Sequence, residues 1–285
     1  METVNLLTKL LPTIKTYLSC ADYQSALRQG LELAQAATHK EYILTLEGTS
    51  YPTLSDMSLL TLPYNDLAAL KTLCREYHGR IAALLLEPVP TSQGLILPHY
   101  GYLEEISDLA QQEGFWLFFD ETTTLFQAAV GGSQTLYQVE PQLTCYRNLL
   151  FSKDALLPQK APLPQEVFAD ELMTPEEHYA LESLTAILTG GLERLARQNQ
   201  LPLQLHRLGT LYSIYMSKEK LEDYADYGLC DRELYSCFCQ ELLKQNIKLP
   251  ESQFSTNILP PSITAEAIEE FLQKAALACI ACRKN

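Results

Sequence analysis

The chain has 285 residues, 47% hydrophobic and 20% charged, with a formal net charge of −14 and an isoelectric point near 4.8. That balance excludes disordered and fibrous classes, and the acidity argues against a nucleic-acid partner, whose binding depends on Lys and Arg displacing counterions. No apolar run approaches the ~20 residues of a membrane span, Met1 to Leu11 lacks a basic-then-apolar leader pattern, and the eight cysteines fit reduced thiols; the expectation is a cytoplasmic protein with no membrane contact.

In chain order, Asp22 to Ala37 places Ala26, Leu27, Gly30, Leu31, Leu33 and Ala34 at helical spacing, and the run Tyr42 to Leu46 predicts a strand. Leu62 to Asp66 predicts a turn, and Leu67, Leu70, Leu73 and Cys74 give one apolar face to a helix over 67–77. Ile81 to Leu86 is unbroken apolar sequence ended by Glu87 and Pro88, the pattern of a parallel strand covered on both faces. A helix over 100–112 follows, stopped by Gly114 before a second buried strand, Phe115 to Phe119, that ends at Asp120. Strand, crossover helix and strand make a βαβ unit whose ligands lie beyond the carboxyl ends of the strands, where Glu87, Asp120 and Glu121 stand.

Pro158, Pro162 and Pro164 mark a break, so the spacing predicts an α/β domain over 1–164 and an α+β domain over 165–285. The second holds a long helix over 175–199, a strand pair around Gly209, and amphipathic helices over 232–245 and 265–282. Cys237 and Cys239 form a C-x-C, and Cys279 and Cys282 a C-x-x-C, but both sit in helical sequence without the turns of a zinc knuckle. The five histidines show no metal-site spacing either, so no metal is expected.

Leu62-Pro-Tyr-Asn-Asp-Leu67, Ile81 to Val89, Pro98 to Leu103, Phe119-Asp-Glu121, Gly131 to Gln134, Pro141 to Thr144, Arg207 to Thr210, Asn246 to Pro250 and Ser252 to Phe254 occur in one order at consistent spacing. Together they resemble the glutamate-1-semialdehyde 2,1-aminomutases, class III aminotransferases of the fold-type I pyridoxal-phosphate architecture, in shortened and degenerate form. The resemblance implies a mostly parallel sheet flanked by helices with a smaller C-terminal α+β domain. It also implies a homodimer, or a heterodimer with an intact aminomutase, since the family's active site lies at the subunit interface.

By the same resemblance, Asp120 matches the carboxylate that keeps the cofactor pyridinium protonated and the ring an electron sink. Asp at a strand end is equally an ordinary cap. The Schiff-base lysine position falls on Asn148, and an amide nitrogen, its lone pair drawn into the carbonyl, cannot attack an aldehyde or shuttle a proton. Lys153 could substitute only by a five-residue slip. The family's Ser-Gly-Thr phosphate cup matches Asp22-Tyr23-Gln24, where a carboxylate would repel a phosphate dianion and reads more simply as a helix N-cap. The ring-covering aromatic matches Ser50-Tyr51-Pro52, so Tyr51 and Glu87 join Asp120 as cofactor-site candidates. The N-terminal segment before the cup and the lid that closes over the phosphate have no counterpart. These expectations favour an inactive binding, assembly or regulatory module without cofactor. The alternative is an enzyme using pyridoxal or pyridoxamine phosphate with Lys153 and Asp120, and a third possibility is a small-molecule binder at the strand ends.

Overall fold

The computed structural model describes residues 14–49, 51–92, 94–154 and 174–283, which fall into two units. One comprises residues 14–89 and 98–154, the other 90–97 and 174–283. A contiguous division of the chain misses the excursion of Pro90–Leu97 into the second unit. The expected boundary near Pro164 and the segment Met1 to Leu11 lie outside the described residues.

The first unit runs β1 (Thr16–Ser19), α1 (Tyr23–Thr38), β2 (Tyr42–Leu46), β3 (Leu59–Leu62), α2 (Leu67–Glu76), β4 (Ile81–Leu86), α3 (Tyr102–Glu113), β5 (Trp116–Asp120), α4 (Gly132–Leu136), β6 (Leu143–Tyr146) and β7 (Leu149–Ser152). Its sheet has the order β1-β7-β6-β5-β4-β2-β3. The strands from β3 to β6 are parallel, whereas β7 is antiparallel to both of its neighbours. Every residue of β4 is buried, as its unbroken apolar run predicts for a strand covered on both faces. Helix α1 packs Ala26, Leu27, Leu31 and Ala34 into a core with Ile43, Ala83, Leu85, Phe118 and Leu150. Burying a leucine side chain such as Leu27 contributes about 1.5–3 kcal/mol. Contact this close requires Gly30, because a Cβ there would lie 2.4 Å from a ring carbon of Phe118.

The second unit runs α5 (Pro175–Asn199), β8 (Leu203–Leu208), β9 (Leu211–Met216), α6 (Arg232–Leu243), β10 (Asn257–Ile258) and α7 (Ala265–Cys282), with an antiparallel sheet in the order β10-β9-β8. Thr174 starts α5 with a capping box to Glu177, which satisfies two of the amides a helix leaves unpaired at its first turn. Leu188, Leu192, Ile214, Phe238, Leu242, Ala275 and Cys279 form the core. The excursion is held by hydrogen bonds: the Leu95 amide donates to Ser213 Oγ at 3.2 Å, and the His206 ring donates to the Leu95 carbonyl at 2.7 Å. Among the described residues no helix is long and apolar enough to cross a membrane.

Candidate functional site

Sheet register brings the sequence candidates to one end. Leu86 pairs with Phe119 and Asp120 with Cys145, so Glu87, Asp120 and Cys145 stand level at the carboxyl ends of the parallel strands. Because β7 runs the other way, its first residues arrive at this same end, and β1 finishes beside them: the Cys20 amide donates to the Asn148 carbonyl at 2.8 Å. Beyond β2 the chain passes through Thr49 to Tyr51, which precedes the short 3-10 turn Pro52–Leu54.

Asp120 is 4% exposed and both of its oxygens are engaged. Oδ1 accepts the Thr122 amide at 3.0 Å, and Oδ2 accepts the Tyr23 hydroxyl at 2.5 Å. Local structure explains why Tyr23 is there. Extended backbone at Asp22, whose side chain caps the Ser25 amide, starts α1 immediately after the end of β1, so the first helical side chain is presented to the strand ends.

Burial pushes the Asp120 carboxyl above the ordinary carboxylate range, although its hydrogen bonds from Thr122 and Tyr23 oppose the shift. Burial, followed by the charge and hydrogen bond of Asp120, holds the Tyr23 phenol protonated far above its usual range. Tyr51 is raised in the same way by burial and then by Asp120 and Glu87, with a hydrogen bond to Thr49 opposing. The Cys145 thiol is raised by burial and then by Asp120, and Cys20 by burial and then by Asp22. The cluster therefore holds carboxylates, protonated phenols and protonated thiols. None of these is a poised nucleophile, since a reactive cysteine needs a lowered pKa.

Asn148 sits in the two-residue turn between the paired residues Tyr146 and Leu149, after Arg147 at φ 55°. Its Nδ2 donates to the Cys20 carbonyl at 3.1 Å, tying the end of β1 to the hairpin. Lys153 is not brought to this end. Its backbone amide donates to the Gln142 carbonyl and its Nζ to the Glu140 carbonyl at 3.2 Å, at the start of β6. Lys40 and Lys71 are likewise engaged elsewhere, with the Glu113 and Gly114 carbonyls and with Glu105. Thus Asp120, Tyr51 and Glu87 share a neighbourhood, Asn148 lies at the same sheet end, and Lys153 stands apart.

Sequence reasoning missed Tyr23 as a site residue. The available signal was a bulky hydroxylated side chain in the middle of the sequence that matches the cup. Glu121, which the sequence places at the same strand end as Asp120, turns into the fold. It is fully buried and accepts hydrogen bonds from Thr124 Oγ1, from the Ser133 amide at 3.0 Å and from the Gln134 amide at 2.9 Å. Gly132 makes room for it: its φ is +72°, and a Cβ there would lie 2.9 Å from both carboxylate oxygens. Among the described residues no group of three His, Cys, Asp or Glu could hold a metal ion.

No family model matches the chain. The glutamate-1-semialdehyde 2,1-aminomutase of Roseiflexus castenholzii is 26% identical to it over 329 residues, covering 96% of this chain and 75% of the relative. The aminomutase 2 of Brevibacillus brevis is 28% identical over 253 residues, covering 80% and 58%. Among solved structures, a glutamate-1-semialdehyde aminomutase from Pseudomonas aeruginosa superposes with a TM-score of 0.81 at 16% identity, covering 99% of this chain and 74% of that one. An omega-transaminase from Sphaerobacter thermophilus gives 0.80 at 20% identity, covering 98% and 77%. Structures similar to this chain include one in complex with PMP and one in the PLP internal aldimine form. The seven-stranded, mostly parallel sheet flanked by helices is the fold-type I arrangement of these proteins. Along nearly its whole length the chain is similar in sequence to glutamate-1-semialdehyde 2,1-aminomutases, and its fold is that of fold-type I pyridoxal-phosphate aminotransferases.

Proposed function

We propose that this chain is a non-catalytic relative whose own side chains stand where the cofactor would, and that it works as a binding, assembly or regulatory module. The observation that carries this reading is the 2.5 Å hydrogen bond from Tyr23 to Asp120. The carboxylate oxygen that a pyridinium N–H would need already accepts a phenol O–H, so a cofactor ring and the Tyr23 ring compete for one acceptor.

Two further features support it. By the resemblance the cofactor lysine's position falls on Asn148, whose amide cannot form an imine and whose Nδ2 donates to the Cys20 carbonyl. Asp22, which the resemblance matches to the family's phosphate cup, is kept ionised by the Ser25 amide and would repel a phosphate dianion. The described residues of this unit therefore do not fit pyridoxal phosphate. The rival reading, an enzyme using Lys153 with Asp120, requires an amine to cross the length of β7, about 13 Å at 3.3 Å per residue. A cytoplasmic partner, either a second copy or an intact aminomutase, would be the object of the module.

Incubating the full chain with pyridoxal phosphate, reducing with borohydride and mapping the peptides tests the reading. The expected result is no visible imine band and no single lysine carrying the cofactor. Stoichiometric labelling of one lysine would overturn it. Tyr23→Ala adds a positive arm: with the phenol removed, pyridoxamine phosphate should raise the thermal midpoint of the variant but not of the parent.

A further inference from the structure

The C-terminal unit contains a feature that the cleft chemistry does not use. Cys237 on α6 and Cys282 on α7 stand with their sulfurs 3.0 Å apart, and all eight cysteines of the chain are reduced. We propose that Cys237 and Cys282 are an oxidative modification site: a hydroperoxide converts this dithiol to a disulfide that staples α6 to α7.

Geometry supports the step. A disulfide bond is about 2 Å long, so closure needs about 1 Å of approach between sulfurs already in contact. The two positions also differ in access. Cys237 is half-buried and reachable by a small oxidant, whereas Cys282 is 3% exposed. Either sulfur can donate in their 3.0 Å contact, and burial, followed by the hydrogen bond with Cys237, raises the Cys282 thiol above its usual range, so the accessible Cys237 is the sulfur that meets the oxidant first. The Lys244 ammonium, 2.5 Å from Glu241, is close enough to feel both thiols. Helical placement, which makes both motifs poor zinc knuckles, aligns one cysteine from each helix.

The chemistry balances with a hydroperoxide as oxidant. The Cys237 thiolate attacks an oxygen of the peroxide, the O–O bond breaks, and the leaving oxygen takes a proton, giving a sulfenic acid and water or an alcohol. Cys282 then loses its proton as its sulfur attacks that of Cys237, and the hydroxyl leaves as water. Two thiols lose two electrons, and the peroxide gains them.

The test treats the native full chain with graded hydrogen peroxide, quenches, alkylates under denaturing conditions and maps the peptides by mass spectrometry. A Cys237–Cys282 crosslinked peptide, lighter by two hydrogens, should form several-fold faster in the native chain than in the chain unfolded by urea. It should vanish in Cys237→Ser and in Cys282→Ser and persist in Cys230→Ser. Oxidised wild type should also unfold at a higher temperature than reduced wild type, a difference absent from Cys237→Ser. Over-oxidation of Cys237 with Cys282 still alkylated, or a crosslink that appears only on unfolding, would overturn the proposal.

Discussion

Two consecutive carboxylates, Asp120 and Glu121, are buried to nearly the same degree and held in opposite ways. Glu121 takes two donors from backbone amides at the start of α4 and a third from Thr124, its neighbour in sequence. Asp120 takes one nearby amide and one phenol supplied by another element. A carboxylate met by backbone is fixed by the fold. One met by a distant side chain can change partner through a single substitution. Burial raises the Glu121 carboxyl as it does Asp120, and its donors oppose the rise in the same way.

The largest expected effect falls on the backbone-held member. Glu121→Leu strands two buried amides and a hydroxyl, and should cost the first unit about 3–5 kcal/mol in denaturant unfolding. Trp116, the sole tryptophan, lies on β5 of this unit and gives a fluorescence signal specific to it. A loss below 1 kcal/mol, at the level of a single ordinary hydrogen bond, would erase the contrast. Tyr23→Phe removes the donor from Asp120 alone and should cost about 1–3 kcal/mol by the same readout. Unchanged stability would mean that Asp120 does not depend on the phenol. Asn148→Ala loses the bond to Cys20 and should cost about 1 kcal/mol.

The finest test reads a slope. Asp120 has a folded pKa above its unfolded value, so its contribution is fully present below the unfolded pKa and is lost as pH rises through the folded one. Wild type should therefore gain stability relative to Asp120→Asn as pH is lowered through that window. A difference that does not vary with pH would show that Asp120 titrates normally.

Long elements were legible in the sequence because periodicity accumulates with length. The helices α5 and α7 and the buried strand β4 announce themselves by spacing and apolar runs. The four-residue strands β1, β3, β6 and β7 give too few positions for a period, and the β6–β7 turn uses Arg147 and Asn148 without the glycine that usually marks a two-residue hairpin. At the candidate site, Asp120 could be read from its place at a strand end. Tyr23 could not, because its partner is 97 positions away and only the sheet order brings them together. Which way Glu121 turns could not be read, because strand-end position does not tell the direction of a side chain.

The seat of β1 constrains the order in which the molecule can be made. Among the described strands β1 pairs only with β7, Thr16 against Ser152, so an early segment closes onto a late strand of its unit. At a translation rate of about 5–20 residues per second, β1 waits on the order of ten seconds after synthesis before its partner exists. Throughout that interval β1 has no partner in the sheet and its edges are open to strands of other nascent chains. The β6–β7 hairpin, closing by a local turn, is therefore the event that ends the vulnerable period.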